Sequence, residues 1–367
     1  MTVTLRVVLD QLVAPTSRDL AEASASLTEA LIATAPRGCD VGAIVPSPGI
    51  ADDEAIAGLS SETRLSMRRR ELAASWQLGV APGIGKGLIH SPTPLAPLVR
   101  HDRVNETHQI VVTLWDLRAW ESPEELPKAE VLAARALLSR VGKHADAVIV
   151  PTHAMAERLA EVAKSKLVKK VRVIGGAPAA GLRVPSDAVG RLRALDLPQT
   201  FVVAAGGSAA SDALDVAFSA VVASGWEGDV VVLDVPEGDE PAIADLASAA
   251  GLAEGRVHAR GSLDRWDRAA VLSHATAFVT ACTRADWPWR AVDALTVGVP
   301  IAAVDTPVLR EVLADAAALA PSDGLGAALS RAVGEGAERL RVLAGDRAKG
   351  FAWRASAERV WALHAEL

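Results

Sequence analysis

The sequence predicts an α/β protein of two Rossmann-like, doubly wound domains that face a cleft. Three observations carry that expectation. Apolar β-branched runs alternate with amphipathic helical patterns along all 367 residues, as βαβ units with parallel sheets require. The length suits two domains of ordinary size, and half of the residues are hydrophobic, enough for a core in each. A glycine-rich stretch, Gly175-Gly-Ala-Pro-Ala-Ala-Gly181, lies near the middle and reads as the linker.

In the first half the expected strands are Arg6–Leu9, Cys39–Val45, Gly87–His90, Ile110–Leu114, Ala147–Val150 and Val171–Ile174. Between them, apolar residues recur at helical spacing over Arg18–Ala35, Glu62–Leu78, Pro127–His144 and His153–Ser165. The last of these helices starts well, because Thr152 is a natural N-cap and Glu157 lies early in it.

Strands resume after the linker at Phe201–Ala205, Val230–Val235, Val257–Arg260, Ala277–Thr280 and Ile301–Val304. Helical patterns cover Asp212–Ser224, Pro241–Ala250, Arg265–Ser273, Trp289–Thr296, Pro307–Ala314 and Leu325–Glu335. Ala337–Leu367 is a long helical pattern with a break expected near Gly350. Ala204-Ala-Gly-Gly-Ser-Ala-Ala-Ser-Asp-Ala213 reads as a glycine turn feeding a helix, with Ser211 or Asp212 as its N-cap. In doubly wound sheets, ligands bind at the carboxyl ends of the strands.

Composition removes several function classes. No run of about 18 apolar residues suggests a membrane span. The start of the chain lacks the basic region and longer apolar stretch of a signal peptide. Cys39 and Cys282 are far apart and read as buried, reduced thiols of a cytoplasmic protein. No Cys/His spacing suggests a metal cage. A net charge of -7 speaks against nucleic acid, whose binding is dominated by phosphate neutralisation. The first strand is not followed by Gly-x-Gly-x-x-Gly, which disfavours a nicotinamide-dependent oxidoreductase.

One stretch is more specific. Thr283-Arg-Ala-Asp-Trp-Pro-Trp-Arg-Ala-Val-Asp-Ala-Leu-Thr-Val-Gly-Val-Pro300 is followed by Ile301-Ala-Ala-Val-Asp305 and Thr306-Pro-Val-Leu-Arg-Glu-Val312. Upstream lie Leu88-Ile-His-Ser-Pro92, Ile110-Val-Val-Thr-Leu-Trp-Asp-Leu117, Lys143-His-Ala-Asp-Ala-Val-Ile-Val-Pro-Thr-His153, Val171-Arg-Val-Ile-Gly-Gly176 and Arg260-Gly-Ser-Leu263. Arg347-Ala-Lys-Gly-Phe-Ala-Trp-Arg-Ala-Ser-Ala-Glu-Arg-Val-Trp361 closes the series. In order and spacing these segments resemble the retaining family 4 glycosyltransferases of GT-B fold, in particular bacterial mannosyl- and rhamnosyltransferase-like proteins. The resemblance spans nearly the whole chain. It implies an acceptor-side domain over residues 1–178, a nucleotide-sugar-side domain over 179–350, and a helix over 351–367 that returns to the first domain.

The resemblance also implies site residues. Asp293, five residues before Gly298, matches the family's ribose-binding carboxylate, one methylene shorter than the usual Glu. The donor-sugar carboxylate eight residues earlier falls on Ala285, with Asp286 one residue off register. The family's basic pair after the first strand of the second domain is missing, since Ala204–Ala213 holds no basic residue. Gly206 and Gly207 remain there, with backbone N–H groups to offer a diphosphate. The loop after the first strand, Gln11–Asp19, lacks the usual glycines, and Arg18 is its one cation. Trp115-Asp116 stands where relatives carry His-Asp, so Asp116 and the strand-end His90 are the candidate catalytic pair. A Trp at 115 cannot exchange a proton as that His would; it is expected to stack on a sugar or fill the cleft.

Two functions follow from this pattern. One is transfer of a sugar, with retention, from a nucleotide-diphosphate sugar to a glycan or lipid-linked acceptor. It needs no cofactor and no bound metal. The other is a catalytically degenerate homologue that serves an active glycosyltransferase as partner subunit or binding scaffold. The basic residues Arg64 and Arg68–Arg70, and Lys164, Lys166, Lys169 and Lys170, are solvated faces or contacts for an anionic membrane surface. Any membrane contact is thus expected to be peripheral, at the inner face.

Overall fold

The structure is a computed structural model that describes residues 2–51, 55–102, 105, 107–283 and 286–367. The chain divides into two compact units: residues 1–180 with 352–367, and residues 181–351. The boundaries expected from sequence lay at 178/179 and 350/351.

Among the described residues, the first unit is built on seven parallel strands: β1 (Val3–Val8), β2 (Cys39–Ser47), β3 (Ser61–Arg68), β4 (Leu88–Ser91), β5 (Gln109–Thr113), β6 (Ala147–Val150) and β7 (Val171–Val173). Their order in the sheet is β3-β2-β1-β4-β5-β6-β7. An all-parallel sheet is covered on both faces, so its central strands are apolar throughout. β5 and β6 are buried at every residue. The covering helices include α1 (Asp10–Val13), α2 (Arg18–Ala33), α3 (Arg69–Gln77), α4 (Lys128–His144) and α5 (His153–Val162). Val8, Ile44, Ile89, Ile110, Val148 and Met155 lie in one buried cluster between sheet and helices. Thr152 caps α5 as expected, its hydroxyl accepting the Met155 N–H.

Two expectations are corrected. Glu62–Leu78 is not one helix: its first part is β3 and only Arg69–Gln77 is helical. Thr63, Leu65 and Met67 alternate inward along β3 while Glu62, Arg64, Ser66 and Arg68 are exposed, a period of two rather than 3.6. Cys39 and Cys282 are reduced, outside any disulfide, but half-buried rather than buried.

The described residues of the second unit form six parallel strands: β8 (Phe201–Ala205), β9 (Asp229–Leu233), β10 (Val257–Ala259), β11 (Phe278–Thr280), β12 (Ile301–Val304) and β13 (Ala317–Ala320). Their order is β10-β9-β8-β11-β12-β13. Helices α6 (Leu214–Ala223), α7 (Glu240–Ala249), α8 (Arg265–His274), α9 (Trp289–Val297), α10 (Pro307–Leu313), α11 (Leu325–Val333) and α12 (Ala337–Ala348) connect and cover them. Val202, Val230, Phe218, Val279, Ala302 and Leu329 share its core. The long pattern over Ala337–Leu367 does break near Gly350, and α13 (Trp353–Glu366) belongs to the first unit.

Both sheets run outward from a first strand in one direction and then resume on its other side. The strand order therefore reverses between β1 and β4, and again between β8 and β11. Those two points, at the carboxyl edge, are where doubly wound sheets take ligands.

Candidate functional site

In the second unit, the β8 edge opens into the glycine turn. Gly206 has φ +130°, a backbone conformation that favours glycine, and a Cβ there would stand 2.9 Å from the Asp212 side chain. The Gly207 N–H is directed at Asp212 Oδ2, 2.8 Å away. Ser208 donates both its N–H, at 3.1 Å, and its hydroxyl, at 2.8 Å, to Asp239 Oδ2. These bonds hold the Asp239 carboxyl below its ordinary value. The turn is thus a row of amide donors at the switch point, with two carboxylates of the same unit as acceptors. Neither Ser211 nor Asp212 caps the next helix. Asp212 ends a short 3-10 turn, and Ala213, at φ +51°, precedes α6. The Asp212 carboxylate faces backward to the turn instead.

Next to this turn lies a cluster of four charges. Asp293, on α9, is 1% exposed. Its Oδ2 meets Arg290 Nη1 at 2.7 Å and Arg268 Nε at 2.8 Å. Arg268 comes from α8 and is itself 1% exposed. Arg290 also reaches Asp234 Oδ2 at 2.5 Å. Asp234 follows β9 in a left-handed conformation, φ +59°. Its neighbour Leu233 accepts the Gly206 N–H, so Arg290 is carried to the flank of the glycine turn. Sequence reasoning named Asp293 but missed both arginines. The i,i+3 spacing of Arg290 and Asp293 on a helix was the signal that could have found one of them. Arg268 had no local signal.

Asp286 is buried, 2% exposed, in the loop between β11 and α9. Ala285, the register match to the donor-sugar carboxylate, lies outside the described residues. Trp287 packs edge-on against both Trp289 and Phe351, which fixes the end of that loop. Among the described residues, no group of three or more His, Cys, Asp or Glu is placed to hold a metal ion.

In the first unit, Asp116 is exposed beyond the end of β5, and its Oδ1 accepts the Arg118 N–H at 3.0 Å. Trp115 is buried and donates to the Pro92 carbonyl at 2.8 Å, which ties the ends of β4 and β5 together. His90 sits inside β4, paired in register with Val7 and Val111, and has no exposed surface. Its ring meets the His364 ring of α13 edge-on at 6.1 Å. Burial, and then the neighbouring His364, push its pKa down to about 3, so the imidazole is neutral. The structure therefore places Asp116 at the solvent-facing carboxyl edge and His90, without exposed surface, in the layer between sheet and helix.

No family model matches the chain, and no curated protein matches it. Its fold does match solved structures. Sucrose-phosphate synthase from Thermosynechococcus elongatus is 18% identical, with 99% of this chain and 98% of that chain covered, at a TM-score of 0.71. HepE of Anabaena, in complex with UDP and glucose, is 14% identical over 100% of both chains, at a TM-score of 0.69. A glycosyltransferase from Rickettsia africae is 12% identical, with 100% and 98% covered, at 0.62. At these identities the likeness is one of fold. The chain has the GT-B fold: two Rossmann-like units and a final helix that rejoins the first.

Proposed function

We propose that the protein is a glycosyltransferase that takes a nucleotide-diphosphate sugar in its second unit and transfers the sugar with retention to a glycan or lipid-linked acceptor. One observation carries this reading. The switch point between β8 and β11 gathers a glycine turn rich in amide donors and, at its flank, Arg290 anchored by Asp234 and Asp293. Amide donors and a fixed guanidinium are what a departing diphosphate needs. Arg290 would supply the cation that the segment after β8 lacks. Gly206 and Gly207 would face the diphosphate and Asp116 the acceptor; Asp293, 1% exposed with Arg268 and Arg290 on its Oδ2, and the buried Asp286 would shape the ribose and sugar side from beneath. His90, fully buried and neutral, would support β4 rather than touch substrate.

In the reaction, the bond from the anomeric carbon to the phosphate oxygen breaks. Its electron pair stays on the nucleoside diphosphate. The acceptor hydroxyl oxygen bonds the same face of the carbon, and its proton leaves with the diphosphate. UDP held by HepE, a structure of the same fold, supports the donor class. The reading calls for no cofactor.

The test is calorimetric titration of the protein with UDP, GDP and dTDP, with and without a divalent metal. Micromolar binding of one nucleotide is expected. No binding to any of the three, by a protein that melts cooperatively, would overturn the reading. One observation favours a second one, a degenerate partner subunit: the acceptors of the Gly207 and Ser208 amides are carboxylates of the chain itself. Nucleotide binding without transfer to any acceptor would point there.

A further inference from the structure

The carboxyl edge of the seven-stranded sheet carries an arrangement of charge that the donor reading leaves unused. Asp10, the first residue of α1, lies just past β1 and is 1% exposed. Its Oδ2 accepts from Arg69 Nε at 2.7 Å and from Gln11 Nε2 at 2.8 Å. Thr93, just past β4, stands 3.4 Å from Oδ1. Gln11 is fixed in turn, its amide oxygen accepting both the N–H and the hydroxyl of Thr16. Residues that follow β1 and β4, the strands on either side of the first switch point, therefore converge on one buried carboxylate.

Arg69 reaches this carboxylate from the end of β3, across β2. Its side chain keeps 23% exposure. Its only side-chain hydrogen bond among the described residues is the one from Nε to Asp10. Both Nη groups are thus uncommitted on a guanidinium that cannot swing away. Such a fork matches the two oxygens of a carboxylate or phosphate, and holding it in place beforehand lowers the entropy cost of binding. The exposed Arg68 and Arg70 on either side add positive charge, while Arg64 is already paired with Glu62 at 2.8 Å.

We propose that Arg69, positioned by Asp10, binds an oxyanion group, phosphate or carboxylate, on the acceptor substrate at the switch point of the first sheet. The anion site stands on the geometry of the first unit alone; its assignment to the acceptor rests on the transferase reading. Arg69 is the contacting residue and Asp10 a positioning residue.

The experiment follows the Arg69 Nε–H resonance of the full-length protein, assigned by its loss in Arg69→Lys. The probes are inorganic phosphate, glucose 6-phosphate, glucuronate and glucose at constant ionic strength. A saturable shift with an oxyanion and none with glucose is expected; the sugar that saturates at the lower concentration says whether phosphate or carboxylate is the preferred group. Arg69→Gln is expected to weaken oxyanion binding at least tenfold by calorimetry. Arg172→Gln, which removes the same charge from an exposed position on β7, the opposite edge strand of the same sheet, should leave it unchanged. Asp10→Asn separates positioning from bulk charge: it makes the edge more positive, yet weaker binding is expected because Arg69 loses its anchor. An Arg69 signal unmoved by every oxyanion, or tighter binding in Asp10→Asn, overturns the proposal. UDP binding is measured on the same samples. Its failure alone counts against the transferase reading and leaves the anion site standing, and an inert Arg69 with intact UDP binding does the reverse.

Discussion

Asp293 stabilises two buried cations with one carboxylate oxygen. Removing it leaves Arg268 and Arg290 without that countercharge in a region of low dielectric. Asp293→Ala is expected to destabilise the second unit by about 3–5 kcal/mol, read from the urea midpoint. Asp212 has the opposite character. Under the proposed donor reading it would compete with an incoming phosphate for the Gly207 amide, and its charge would repel that phosphate. Asp212→Asn is expected to tighten UDP binding by roughly tenfold at low salt, with a smaller effect as salt rises; an unchanged affinity would show that phosphate binds elsewhere. His90 and His364 set an acid limit. Burial lowers their pKa values to about 3 and about 4, against 6.5 for the free side chain. Between these values the unfolded chain takes up protons that the folded chain refuses. Their stabilisation is complete above about pH 6.5 and declines toward pH 4, at about 1.4 kcal/mol per pH unit for each group. His101 works the other way: its hydrogen bond to Asp146 raises its pKa, so its share is present in acid and fades as pH rises. Urea midpoints of His364→Gln across pH 4 to 8 should show a shallower acid slope than the parent protein.

At the scale of elements, most of the sequence was legible because period-2 and period-3.6 patterns differ sharply where one side is buried. β8 and β12 lie at their expected residues. β3 was hidden because its exposed positions carry Arg and Glu, residues equally at home on a helix surface. β13, Ala-Ala-Leu-Ala, was hidden because no β-branched residue marks it, and only its pairing with β12 makes it a strand. The glycine turn after β8 could be found from sequence. That Asp212 would turn back to it, and that Arg268 would arrive from another helix, depends on tertiary placement. The tryptophans of α13 show what fixes that helix. Trp361 donates to the Leu31 carbonyl at 3.1 Å, Trp353 to Pro178 at 2.7 Å, and the Ser356 hydroxyl to Gly175 at 2.7 Å. Trp353 also meets Trp115 edge-on. Trp361→Ala is expected to cost the first unit about 3–5 kcal/mol, measured by chemical denaturation.

At the scale of the molecule, the fold followed from alternation, length and one glycine-rich linker, whereas the site did not follow from the fold. The cations near the β8 turn come from α8 and α9, not from the segment after β8, so a linear motif could register only their absence there. The two units differ in how the chain makes them. Residues 181–351 are continuous, while the first unit needs 352–367 as well as 1–180. A fragment of 181–351 is expected to unfold in one cooperative urea transition. A fragment of 1–180 should lack one until a peptide of 352–367 is added. Native-like unfolding of 1–180 alone would show that α13 is dispensable. The same discontinuity has a consequence on the ribosome. The first unit begins to emerge first but can be completed only after the whole second unit has been translated, a delay on the order of ten seconds or more at ordinary elongation rates. Through that interval the α2 surface that receives Trp361 stays uncovered, and the nascent first half is expected to be more prone to aggregate than the finished protein.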